Sequence, residues 1–382
     1  MSQALKDQRI QALISLYNNG DIKECLLRAK KVAKIYPEEP FVFNLIGVVN
    51  ASIGSHEEAI ESYKRALKIN PDYFEVYNNL GVVLNDSNKP DEAASYLKKA
   101  LRINPSYPEA CNNLGNSFKE LGKLDQAIES YKNAIKLSPN YIDPYTNLAI
   151  VHASKNENEK AEYYFEKALE ISPENIDTLR YFGDFLVVTR RFSEAKALLE
   201  KCQILGSKNS EVFNLLGQIY QQENFEKSLE FYNKALDLTE EKENIQNNIG
   251  ALHFEFNKVK SAIEYFIKIP NLDKNIKTLL NLAYAFVADN RFKEGWEKYE
   301  YRWQVDPGDK VIWPLKETPM WGGEKDKNVF LWREQGIGDD IIFLGLVPEA
   351  YERTRKGMTV LIDPRLVAIC KRSMPGIDFL PA

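Results

Sequence analysis

The sequence predicts an all-α superhelical solenoid over residues 1–305, a linker over 306–327, and a partial doubly wound α/β domain over 328–382. Three observations carry this reading. Prolines recur every 34 residues, at Pro37, Pro71, Pro105, Pro139 and Pro173. Small residues recur in register between them. All five tryptophans, Trp296, Trp303, Trp313, Trp321 and Trp332, gather where that register ends, so the architecture changes there.

Each element of the repeat follows from the chemistry of its column. Gly47, Gly81, Gly115, Ala149, Gly183, Gly217, Gly250 and Ala283 form one small-residue column. Ala59, Ala93, Ala127, Ala161, Ala195 and Ala262 form a second, and Ala66, Ala100, Ala134, Ala168 and Ala235 a third. Small side chains let two helix axes approach closely, so these columns predict antiparallel helix pairs. Tyr63, Tyr131, Phe165, Tyr232, Phe266 and Tyr299 form an aromatic column that fills the space between the close contacts. Proline ends the second helix of each pair, because it lacks an N–H and restricts the residue before it. One helix pair cannot bury its apolar face alone, whereas a stack of pairs can. About nine pairs fit between residues 6 and 305. The pattern loosens after residue 207, where Ser207 and Glu240 replace the proline and the unit from 210 is one residue shorter. This periodicity resembles the tetratricopeptide repeat (TPR).

Composition narrows the function. The chain has 382 residues, 44% apolar and 27% charged, with a formal net charge of -5. An acidic balance argues against general nucleic-acid binding, which needs cations to replace phosphate counterions. No apolar stretch is long enough to span a membrane, and the N-terminus lacks a continuous apolar signal core, so a cytoplasmic protein is expected. Cys25, Cys111, Cys202 and Cys370 have no metal-binding spacing, and the first three occupy positions that other repeats fill with small or apolar residues. Buried free thiols are expected, and no metal site. His56, His152 and His253 are scattered through different repeats and read as structural.

One column on the first helices is polar: Asn79, Asn113, Asn147, Asn248 and Asn281. A primary amide both donates and accepts, so a row of them on a concave wall can hold an extended polypeptide through its backbone. The same amides could instead join neighbouring repeats. In the first case alanine at Asn113 and Asn147 weakens a ligand and spares stability; in the second it lowers stability. The column resembles the asparagine ladder of protein O-GlcNAc transferases, which implies a protein or peptide partner in the groove. Leu45, Tyr181 and Leu215 interrupt it.

Beyond residue 305 the pattern changes. Pro307, Gly308, Pro314, Pro319, Gly322 and Gly323 mark the linker. Asn328–Trp332, Met358–Ile362 and Ile377–Leu380 read as strands, with helices over about 339–355 and 364–374. A glycine turn, Glu334-Gln-Gly-Ile-Gly-Asp-Asp340, follows the first strand. Asp339 and Asp340 put negative charge where a phosphate would sit, which opposes phosphate binding. A carboxylate there can accept a proton from a hydroxyl, or it can simply cap the helix.

This turn, with Trp321-x-Gly-Glu324 before it and Tyr299-x-Tyr-Arg-Trp303 further upstream, resembles the junction of bacterial proteins that fuse these repeats to a heptosyltransferase-like glycosyltransferase. The resemblance covers about 300–382. It implies a Rossmann-like half of a two-domain GT-B fold, Gly336 and Gly338 in the acceptor-side turn, and Asp339 as general base. It also implies that a nucleotide-sugar donor serves a longer parent protein, since no donor-binding second domain is present here. This chain alone is expected to carry no cofactor and to act as a scaffold that recruits a protein acceptor. The alternative is a stand-alone, non-catalytic interaction scaffold.

Overall fold

The structure, a computed structural model, describes residues 3–304, 329–331, 347–354 and 357–381. It divides into two compact units, Met1–Leu252 and His253–Ala382.

The first unit is a stack of helical hairpins. Helices α1 (Gln3–Asn18) and α2 (Ile22–Ile35) form the first, and α3 (Pro40–Ser52) and α4 (His56–Ile69) the second. Then come α5 (Phe74–Asp86) with α6 (Pro90–Ile103), and α7 (Pro108–Glu120) with α8 (Leu124–Leu137). They are followed by α9 (Ile142–Ser154) with α10 (Asn158–Ile171), α11 (Ile176–Val188) with α12 (Phe192–Ile204), and α13 (Ser210–Gln221) with α14 (Phe225–Asp237). Helix α15 spans Glu243–Glu255.

The columns act as their chemistry requires. A Cβ on Gly81 would lie 2.5 Å from Leu97 Cγ, and one on Gly217 would lie 2.6 Å from the Tyr232 ring. Glycine therefore sets the spacing within a hairpin, and the large residue of the second helix rests directly on it. Both alanine columns are fully buried across the unit. Each proline-terminated helix closes on the same bond: the N–H of Asn70, Asn104, Ser138 and Ser172 reaches the carbonyl of Ala66, Ala100, Ala134 and Ala168 in turn.

A further column reverses the chain inside each hairpin. Gly20, Gly54, Asn88, Gly122, Asn156 and Arg190 all have positive φ, between 57° and 78°. They are spaced by 34 residues, as the prolines are. Glycine and asparagine tolerate this left-handed conformation, and arginine does so only under strain. The hairpin of α13 and α14 escapes the rule, because its first helix is one residue shorter and Asn224 caps α14 from extended backbone.

Successive first helices also touch each other: α3 meets α5, α5 meets α7, α7 meets α9, α9 meets α11, and α11 meets α13. They form the crowded side of the stack.

In the second unit α16 (Val259–Ile267) is followed by the hairpin of α17 (Ile276–Ala288) and α18 (Phe292–Tyr299). Strands β1 (Val329–Leu331), β2 (Met358–Ile362) and β3 (Asp378–Pro381) form a parallel sheet in sequential order. Helix α19 (Val347–Thr354) lies between β1 and β2 in the chain, and α20 (Pro364–Ser373) between β2 and β3. Met358, Val360 and Ile362 alternate into a core shared with Val329, Val347, Cys370 and Phe379. All four cysteines are buried and free. Among the described residues no helix is long and apolar enough to cross a membrane, and no group of His, Cys, Asp or Glu is placed to hold a metal ion.

Candidate functional site

The polar column lies on the first helices as a hydrogen-bonded rail. Asn79 on α5 donates through Nδ2 to Asn44 Oδ1 on α3, at 3.2 Å. Asn113 donates to Asn78 at 2.9 Å, and Asn147 to Asn112 at 3.0 Å. After an interruption Asn248 donates to Asn214 at 2.9 Å. In every case the donor belongs to the expected column and the acceptor is the residue one position earlier in the preceding hairpin. The amides thus join neighbouring hairpins.

The two columns differ in burial. The acceptors Asn78, Asn112 and Asn214 are buried, whereas Asn79, Asn113, Asn147 and Asn248 are half-buried. Each donor spends one N–H on its rung. Its Oδ1 and second N–H remain for another partner, so the rail does not exclude a ligand. Asn281 occupies the same position on α17 in the second unit, also half-buried.

Tyrosines flank the acceptors. Tyr73 sits beside Asn44, and Tyr141 beside Asn112. Burial raises the pKa of both, and it pushes the Tyr107 phenol between them up to about 12. Sequence reasoning missed the acceptor column and these tyrosines. The signal was present in the Asn78-Asn79, Asn112-Asn113 and Asn247-Asn248 doublets and in the 34-residue spacing of Tyr73, Tyr107 and Tyr141.

The rail breaks at α11, where Arg180 and Tyr181 replace the asparagine doublet. There Thr146 and Thr178 share a hydroxyl–hydroxyl bond of 2.8 Å between α9 and α11. Gly336, Gly338 and Asp339 lie outside the described residues.

His152 is bound in structure. Its Nδ1 lies 2.7 Å from Glu157, and its ring stacks on Tyr164 at 5.4 Å. Bonds from Lys160 and His152 hold the Glu157 carboxyl down at about 2.

Sequence profiles described as TPR repeat or tetratricopeptide repeat match residues 47–85 and 115–156, 74–107, and 142–175 and 210–242. These segments are tetratricopeptide repeats. Solved structures share the fold of these repeats. A tetratricopeptide repeat protein from Parabacteroides merdae superposes with a TM-score of 0.55 at 18% identity, covering 65% of this chain and 98% of that one. The Cut9–Hcn1 hetero-tetramer of APC/C gives a TM-score of 0.55 at 17% identity, covering 77% and 57%. Among curated proteins, FlbA of Caulobacter vibrioides is 22% identical over 160 residues, or 40% of this chain and 26% of FlbA. The match thus spans about a quarter of that relative's length.

Proposed function

We propose that this protein is a scaffold whose first helices hold an extended polypeptide through its backbone. The observation that carries the reading is the half-buried asparagine column, each amide fixed by one rung and still offering an acceptor and a donor. Fixing the amide beforehand lowers the entropy lost when a ligand binds. Each backbone bond contributes about 0.5–1.5 kcal/mol net, while ordering a flexible chain costs roughly 2–5 kcal/mol. A handful of amides therefore gives weak binding with little sequence preference, as suits a recruiting surface.

The test uses fluorescence anisotropy with reduced, carboxymethylated lactalbumin, a chain that cannot refold. The scaffold reading expects saturable binding of the unfolded probe and none of folded lactalbumin. Equal binding of both, or of neither, would sink it.

A second reading concerns the parent protein. Three parallel strands in sequential order, with a helix between each pair, support taking residues 328–382 as the opening of a Rossmann-like glycosyltransferase half. The solenoid would then bring a protein acceptor to a nucleotide-sugar site, with Asp339 as base. In the longest reading frame that contains this chain, Asp339→Asn is expected to abolish transfer of radiolabelled sugar while polypeptide binding persists. Unchanged transfer would leave Asp339 a helix cap and favour the stand-alone scaffold.

A further inference from the structure

The interruption of the rail is the most unusual feature of the first-helix wall. Elsewhere an asparagine of the polar column donates back to the asparagine one position earlier in the preceding hairpin. At α11 both positions are changed, and the next hairpin offers Leu215 where a donating asparagine stood. Leu215 can neither give nor take a hydrogen bond, so the ladder is released on both sides of α11. The replacement at α11 is a charged side chain where other hairpins carry a neutral amide.

Arg180 is half-buried, and its Nε is fully enclosed without a hydrogen-bond partner. The guanidinium lies over the neighbouring Tyr181 ring, 3.7 Å from its centroid. One helical turn on, Asp184 is also half-buried. Burial raises the Asp184 carboxyl above its usual range, and the Arg180 charge only partly offsets this. An opposite pair at i and i+4 ordinarily closes into a salt bridge. Here no ion pair joins the two, although each is partly withdrawn from water. Two opposite charges that have not paired with each other remain to be met by charges on a ligand.

We infer that α11 is a charge-reading subsite within the polypeptide groove, taking a segment that sets an acidic side chain against Arg180 and a basic one against Asp184. The planar guanidinium, held over the Tyr181 ring, presents its donors in a fork that fits a carboxylate better than a point charge does. Asp184 accepts from the ammonium or guanidinium of the second side chain. The neutral amides on either side bind backbone without reading sequence, so this turn would give the groove its register. The inference rests on the groove reading above.

The test pans a randomised peptide library displayed on phage against the full-length chain and its Arg180→Gln and Asp184→Asn variants. Retained helix content by circular dichroism shows that each is folded. The wild type should enrich peptides that pair an acidic with a basic residue at a fixed separation. Arg180→Gln should lose the acidic preference and Asp184→Asn the basic one. With a synthetic copy of an enriched peptide, changing its Glu to Gln should weaken binding about tenfold, the scale of one hydrogen bond to a charged group. That change should have no effect on the Arg180→Gln variant. If that variant does not fold, Arg180→Lys, which keeps charge but not the fork, should show a partial loss of the acidic preference. Enrichment without charge preference, or with the same preference in the variants, overturns the subsite and leaves the groove standing. No enrichment at all overturns both.

Discussion

Asn147 reaches across from one hairpin to the next and donates through Nδ2 to Asn112 Oδ1 at 3.0 Å. The relationship repeats at Asn113 with Asn78. It makes the polar column a structural element first. Asn147→Ala leaves a buried amide short of a partner, which costs about 1–3 kcal/mol. Since Asn113 and Asn147 serve separate rungs, the double alanine variant should lose roughly twice that, read from its denaturant midpoint. This revises the expectation that alanine here would spare stability if the amides serve a ligand.

The glycine column makes a steric prediction. A methyl on Gly81 would collide with Leu97, which is fully buried. Gly81→Ala should destabilise the chain by about 1–3 kcal/mol through overpacking. Adding Leu97→Ala to it should cost less than the sum of the two single changes, as measured by chemical denaturation in a double-mutant cycle.

Arg190 holds φ at 62°, in a turn that other hairpins give to glycine or asparagine. Arg190→Gly should therefore stabilise the protein by about 0.5–1 kcal/mol, a gain that relief of left-handed strain supplies. A fall in melting temperature would show that the arginine's contacts outweigh its backbone.

Acid should loosen the second unit. His253 stacks on Tyr265 at 5.0 Å, and burial, with Lys258 nearby, lowers its pKa below the usual 6.5. A base whose folded pKa is depressed is protonated first in the unfolded chain. Stability is then lost as pH falls through 6.5, and the loss is complete below the folded pKa. His253→Phe should flatten the drop in melting temperature between about pH 7 and about pH 5. A second loss, as Glu157 is protonated between its ordinary pKa near 4.5 and about 2, should survive that change.

The hairpins were legible because small residues at helix crossings leave a sharp trace: Gly47, Gly81 and Gly115 stand out in any alignment of the chain on itself. The rungs were not. Asn79 and Asn78 differ by one position, and only three-dimensional stacking shows that each donor pairs with the earlier asparagine of the preceding unit. The left-handed turn column was hidden because glycine, asparagine and arginine share no chemistry beyond what that backbone conformation demands. The break at α11 was visible as Tyr181 and Leu215, yet the importance of Arg180 depended on an enclosed Nε that no sequence displays.

The proposed groove places the extended polypeptide on the first helices. A photo-cross-linking amino acid at Val82 or Ile150, on the first helices beside the rail, should capture the unfolded lactalbumin probe. The same group at Lys98 or Lys132, on the second helices, should not. Capture from the second helices alone, or equally from both sets, would rule out a first-helix groove.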